Sequence, residues 1–221
     1  MAYYPIFLQL QDRRVLVIGG GKEAQHKVRG LLAAGARLTI IAPQLTKELQ
    51  GRLASGELDI LQREYQDGDL AGYEVCMVAT DDGAVNAQVA AEGKRQRIWV
   101  NAADDPANCD FILPAVVRRG AITLAASTGG TSPALARRLR EELEAYLTEE
   151  MPALAELLGE VRAELKSRDK LPDAEIWQEA IDEKLRVLLA QRKYRQAKTR
   201  LLESLGAGAL VEELVGVESG T

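Results

Sequence analysis

Glycines spaced Gly19-x-Gly21-x-x-Ala24, inside the stretch VLVIGGGKEAQHKV, are of a type and spacing that can hold a phosphate. The pattern is a dinucleotide fingerprint in its G-x-G-x-x-A form. Its first glycine permits a tight turn, its second lets the backbone approach a pyrophosphate, and its small alanine lets the next helix pack on the strand. A helix that starts at such a turn offers free N–H groups and a positive dipole end to anions. The competing reading is a strand-to-helix turn that merely uses glycine; the surrounding strand and helix patterns favour the phosphate. A second stretch, VNAADDPANCDFILPAVVRRG, carries Asn101, Asp104 and Asp105 just past a buried strand, where ligands of open parallel sheets bind. A carboxylate there can take up a proton. Loop capping by Asp and Asn, with Asp105-Pro106 starting a turn, explains the same residues without chemistry. A third stretch, STGGTSPALARRLR, places Ser132 as an N-cap and Pro133 at the first helical position, behind glycines, which makes a capped helix end able to receive an anion.

These residues need elements to position them. Val15 to Ile18 is a short apolar run stopped by glycines, as a buried parallel strand would be. Ala24, Val28, Leu31 and Leu32 follow at helical spacing, Gly35 ends that helix, and RLTII, Arg37 to Ile41, is the next strand, which completes one β-α-β unit. The alternation continues with LTKELQGRLASG as helix, LDILQRE and YEVCMVAT as strands, GAVNAQVAAEGKRQ as helix and IWVN as strand. That order predicts a doubly wound parallel sheet. AITLAA, Ala121 to Ala126, reads as a later strand, and ALARRLREELEAYL as an amphipathic helix with Leu135, Leu139 and Leu143 on one face. Beyond Thr148 only helical stripes appear: Leu154, Leu157, Leu158, Val161 and Leu165 before Pro172, then Ile176, Leu185, Leu188 and Leu189.

One departure from the common nicotinamide-binding pattern stands out. The second strand ends Ile41-Ala42-Pro43-Gln44, without the acid that usually holds the ribose hydroxyls and without an arginine for a 2′-phosphate. Backbone groups near Pro43 and Gln44 are left to hold the ribose. Composition narrows the function classes. Net charge is −5 and aromatics are 5%, which opposes nucleic-acid binding. No apolar run approaches the roughly 18 residues of a membrane span, and Cys76 and Cys109 have no metal or disulfide spacing, so the expectation is a cytoplasmic protein. His26 is the only histidine and lies behind the glycine turn, so no metal site is expected. Arg118, Arg119, Arg137, Arg138 and Arg140 put local positive charge near the third stretch, with following glutamates as partners on a solvated face.

Taken together, PIFLQLQDRRVLVIGGGKEAQHKVRGLLAAGARLTIIAP, VATDDGAVN, VNAADDPANCDFILPA and STGGTSPALARRLREELE resemble the precorrin-2 dehydrogenase family, whose bifunctional members are also sirohydrochlorin ferrochelatases. The resemblance runs in order from Tyr4 to Leu147. It implies an α/β fold, a Rossmann-type doubly wound sheet over 1–113, then a central dimerisation region over 114–148 and an all-helical C-terminal domain over 149–221. It implies a homodimer that oxidises precorrin-2 to sirohydrochlorin with NAD⁺, with Fe²⁺ insertion as a further step in bifunctional members. Carried over by position, Gly19, Gly21, Lys22 and Glu23 fall on the phosphate turn, Pro43 and Gln44 on the ribose, and Thr80 and Asp81 near the adenosine. Asp104 falls on the general base, and Asn101, Thr128, Gly129 and Ser132 fall among the tetrapyrrole contacts. Thr128 aligns with a serine of some members and keeps the hydroxyl. The substrate is a polycarboxylate, for which the arginines are candidate partners. No methyltransferase module accompanies the dehydrogenase pattern, so the expectation is that another protein supplies precorrin-2. Two other classes fit less of the chain. An NAD(H)-binding regulatory module would bind without turnover, and a chelatase alone would insert metal without NAD⁺.

Overall fold

Alternation within three apolar strands explains the two-sided core. The computed structural model describes residues 3–102, 105–208 and 210. They fall into two units, Met1–Leu113 with Gly129–Thr131, and Pro114–Thr128 with Ser132–Thr221. In the first unit, β1 (Arg14–Ile18), β2 (Arg37–Ile41), β3 (Asp59–Leu61), β4 (Val75–Val78) and β5 (Trp99–Ala102) form one parallel sheet in the order β3-β2-β1-β4-β5. Successive side chains of a strand point to opposite faces. Val15, Val17, Leu38, Ile40, Val75 and Met77 accordingly pack with Ala24, Val28 and Leu31 of α1 (Lys22–Ala33) and Leu49 of α2 (Lys47–Ala54). Leu16, Ile18, Ile41, Cys76, Val78 and Val100 pack on the other face with Val89 of α3 (Gly83–Gln96). The expected doubly wound parallel sheet is therefore present, and the strand order reverses between β1 and β4.

One feature of this unit differs from the sequence reading. The strand expected over LDILQRE is shorter, because β3 pairs only with β2, whose run ends at Ile41 opposite Leu61. The crossover from β3 to β4 contains no helix. Its chain, 62–74, is held by Arg63 gripping Asp69 through two bonds of 2.6 and 2.7 Å, and by Glu92 of α3. The Glu92 side chain is wholly buried; it accepts from the Tyr65 hydroxyl, from Leu70 N at 3.1 Å and from Gln96 Nε2 at 2.6 Å. Three donors make a buried carboxylate tolerable where an unpaired one would not be. Burial and the Glu92 carboxylate together push the Tyr65 phenol well above its ordinary range, so it remains a donor.

In the second unit, β6 (Ala115–Arg119) pairs antiparallel with β7 (Ile122–Ala126). The sequence reading has β7 but not β6: only Val117 of β6 is buried, so AVVRR shows no clear alternation until its partner defines it. α4 (Pro133–Tyr146) follows, then α5 (Met151–Ser167), α6 (Ala174–Ala180), α7 (Glu183–Ala190) and α8 (Tyr194–Ser204). Leu157, Val161 and Leu165 of α5 share a core with Leu185, Leu189, Ala197, Leu201 and Leu202. Among the described residues, no helix is long and apolar enough to cross a membrane.

Candidate active site

The glycine turn follows β1, and the neighbouring loops decide what each glycine is for. Gly19 has φ +114°, and a Cβ there would lie 2.2 Å from the Ala79 carbonyl oxygen behind β4. A Cβ on Gly20 would lie 2.0 Å from the Gln44 carbonyl oxygen behind β2. The turn thus passes between the ends of both neighbouring strands, tied by Gly19 N to Ile41 O at 2.9 Å and Thr46 N to Gly20 O at 3.0 Å. Sequence spacing singled out Gly19 but not Gly20, whose requirement comes from the β2 loop. Gly21 differs from both. Its φ is −82°, and a Cβ there would meet no atom within 4 Å.

Gly21 is also the N-cap of α1, and no side chain caps that end. At α2, α3 and α4 the same position is filled by Thr46, Asp82 and Ser132, each accepting a backbone N–H. The first turn of α1 therefore presents backbone donors to open space, the combination a pyrophosphate requires. Lys22 and Glu23 are exposed at this end, and Ala24 is buried against the sheet. Pro43 and Gln44 are exposed behind β2, Thr80 is half-buried and Asp81 exposed behind β4. Thr80 Oγ1 accepts from Asp82 N at 3.1 Å, which sets the turn into α3. All these positions lie at the carboxyl ends of three adjacent strands, β2, β1 and β4. His26 is exposed on α1.

β5 is the next strand along this edge, and its end is clasped to the returning chain residue by residue. Asp110 N donates to Val100 O at 2.8 Å, and Asp110 Oδ2 accepts from Val100 N at 2.9 Å. Asn101 Nδ2 donates to Phe111 O at 2.9 Å. Cys109 Sγ accepts from Ala102 N at 3.2 Å and faces Ala102 O at 3.1 Å. Burial pushes the Cys109 thiol up, so it stays protonated and serves as a weak donor within this clasp. Asp104 lies outside the described residues. Asn101, a candidate substrate contact, is itself buried, and its Oδ1 accepts from Lys27 Nζ of α1 at 3.1 Å. Sequence reasoning missed Lys27; its place four residues after Glu23, on the helix of the glycine turn, is the signal that was there.

Of the remaining candidates, Thr128 and Ser132 belong to the second unit and Gly129 to the first. Thr128 Oγ1 accepts from Ser132 N at 3.2 Å and donates to Ser132 O at 3.1 Å, while Ser132 Oγ accepts from Leu135 N at 3.2 Å. The two hydroxyls shape the turn into α4. Gly129 has φ +64° and Gly130 +85°, the left-handed backbone that lets this turn close. Arg137, Arg138 and Arg140 pair with Glu141, Glu142 and Glu144, one helical turn on.

Comparisons with known proteins bear on the family and the fold. A family model described as "Putative NAD(P)-binding" matches residues 6–115, and one described as "Sirohaem biosynthesis protein central" matches 119–146. A siroheme synthase of Photorhabdus laumondii subsp. laumondii is 38% identical over 222 residues, which take in 100% of this chain and 47% of that protein. Siroheme synthase 1 of Aeromonas salmonicida is 42% identical over 168 residues, 76% of this chain and 36% of that one. The chain thus spans about half the length, or less, of these relatives. A solved structure, "SirC, precorrin-2 dehydrogenase", is matched over its whole length and 90% of this chain, with 33% identity and a TM-score of 0.74. Shared fold and shared sequence over the full extent of that dehydrogenase place the chain in the precorrin-2 dehydrogenase family.

Proposed function

We propose that the protein oxidises precorrin-2 to sirohydrochlorin with NAD⁺. The observation that carries this reading is Gly21: the fold does not need a glycine there, yet a side chain would intrude on the open space before the uncapped first turn of α1. Gly19, Gly21, Lys22 and Glu23 frame the pyrophosphate, Pro43 and Gln44 the ribose, and Thr80 and Asp81 the adenosine side. NAD⁺ rather than NADP⁺ is favoured by the end of β2, where Pro43 and Gln44 offer no guanidinium for a 2′-phosphate. The nearest arginine along the chain past β3, Arg63, is engaged by Asp69.

The chemistry supplied by bound NAD⁺ is hydride acceptance. The protein's part is to orient the macrocycle and take up the proton released as the hydride leaves. Asp104 is the carboxylate given that second task, and an ionised carboxylate suits it. Asn101, Thr128, Gly129 and Ser132 are assigned to the substrate. Insertion of Fe²⁺ into the product forms the second step of this reading, with iron as a substrate and the two displaced pyrrole N–H protons passing one at a time through the same carboxylate to solvent.

The working protein is a cytoplasmic homodimer in this reading, with a dinucleotide-binding part over 1–113, a dimerisation region over 114–148 and a helical domain over 149–221. Two observations support it. α4 buries none of its residues and leaves Leu135 51% and Tyr146 67% exposed, an apolar face that a second copy would cover. Cys76 and Cys109 are free thiols, as a reducing compartment keeps them. The test is anaerobic incubation with fresh precorrin-2 and NAD⁺ or NADP⁺, followed by absorbance, then addition of Fe²⁺. Sirohydrochlorin formed with NAD⁺ is the expected outcome. Tight cofactor binding without turnover would make the protein a nucleotide-binding regulatory module instead, and Fe²⁺ insertion with no dependence on NAD⁺ would make it a chelatase alone.

A further inference from the structure

Lys27 is an unusual lysine. Its side chain is only 6% exposed, yet its shortest contact is a neutral one, Asn101 Oδ1 at 3.1 Å. The carboxylate beside it, Glu23, stands at 3.7 Å and is itself 58% exposed. Lysines are rarely buried unless well paired, because an ammonium loses its hydration on burial. A methionine or leucine at this position, beside Ala24 and Val28, would cost the fold less. What the ammonium adds is orientation. It can only donate, so it fixes the Oδ1 side of Asn101 toward α1 and leaves Nδ2 for Phe111 O at 2.9 Å. An amide held from one side only could rotate and release that bond.

The Asn101–Phe111 bond is the middle of the clasp that also joins Val100 to Asp110 and Ala102 to Cys109. The chain between the two sides of that clasp contains Asp104. Lys27 therefore joins two parts of the candidate site, the helix whose first turn faces the pyrophosphate and the stem of the loop that follows β5. We infer that Lys27 is a positioning residue of the proposed dehydrogenase: by fixing the Asn101 amide it sets the stem of that loop, and it touches neither cofactor nor substrate. The inference rests on the function proposed above.

The test uses the full chain with Lys27→Met, which keeps length and removes the charge, and Lys27→Arg, which restores a donor. In Lys27→Met the kcat for precorrin-2 oxidation falls by about 10- to 100-fold, the loss that a small misplacement of reacting groups produces. The KM for NAD⁺ stays unchanged, and amide hydrogen exchange quickens over 100–111 but not at β1 or β2. Lys27→Arg recovers part of the kcat. An unchanged kcat, or a raised KM for NAD⁺ with kcat intact, would overturn the inference; the second would make Lys27 a cofactor contact. If the unaltered protein does not turn over precorrin-2, the proposed function fails, and the exchange measurement still decides the link. Unchanged exchange over 100–111 in Lys27→Met would then refute it.

Discussion

Gly19 and Gly21 are two residues apart in one motif, and the structure predicts opposite consequences for replacing them. Gly19→Ala places an L-residue at φ +114°, a backbone strain of about 1–3 kcal/mol. Its Cβ would also stand 2.2 Å from Ala79 O and 2.8 Å from the carbonyl carbon, so the chain behind β4 must retreat by roughly an ångström, an overpacking cost of about 1–3 kcal/mol. That chain is pinned by Ala79 N to Ile18 O at 2.7 Å, and weakening the bond costs about 1 kcal/mol more. The whole is about 3–7 kcal/mol, which in a chain of this size lowers Tm by roughly 6–28 °C. Gly21→Ala carries neither penalty. The unfolded-chain gain of about 0.4–1 kcal/mol is offset by the poorer N-cap, so stability shifts by less than about 1 kcal/mol. The methyl instead occupies the approach of the pyrophosphate, and NADH affinity falls by at least about tenfold, or 1.4 kcal/mol. Circular-dichroism melts and NADH titration by calorimetry separate the two. A Gly21→Ala protein that melts as low as Gly19→Ala, or that binds NADH unchanged, would refute the reasoning.

Three further expectations follow from polar contacts. Glu92→Ala strips the acceptor from Leu70 N, Tyr65 and Gln96 and destabilises the first unit by about 3–5 kcal/mol, read as a lower urea midpoint. In the helical unit, the Arg186 guanidinium holds the Glu150 carboxyl below its ordinary range, with Thr148 adding to the effect. A depressed folded-state pKa means the unfolded chain binds the proton first, so this contribution is complete above about pH 5 and is lost as pH falls through 4 and below. Melts from pH 7 to pH 3 should therefore show a shallower acid slope for Glu150→Gln than for the unaltered chain. Thr128→Val removes both bonds to the Ser132 backbone and lowers stability by about 1–2 kcal/mol, while Thr128→Ser restores it; equal Tm values for the two variants would show that the hydroxyl does not hold the turn.

The sequence alone determined what depends on near neighbours. Val15 to Ile18 must bury both faces, the glycines after it must turn, and Ala24, Val28 and Leu31 must form one helical stripe, because each property repeats over a few residues. The β-α-β alternation and the helical last third follow from the same local periods. Gly21 could be singled out as a pyrophosphate position by spacing, but only the loops behind β2 and β4 distinguish it from Gly19 and Gly20, which are glycines for the sake of those loops. β6 exists because β7 pairs with it, and the helix-free crossover of 62–74 holds because Glu92, far along the chain, supplies its acceptor. Lys27 reads in the sequence as one more surface charge on an amphipathic helix. Its burial against Asn101 is set by the order in which strands lie in the sheet, since an ammonium's hydration and its partners depend on what tertiary packing brings beside it.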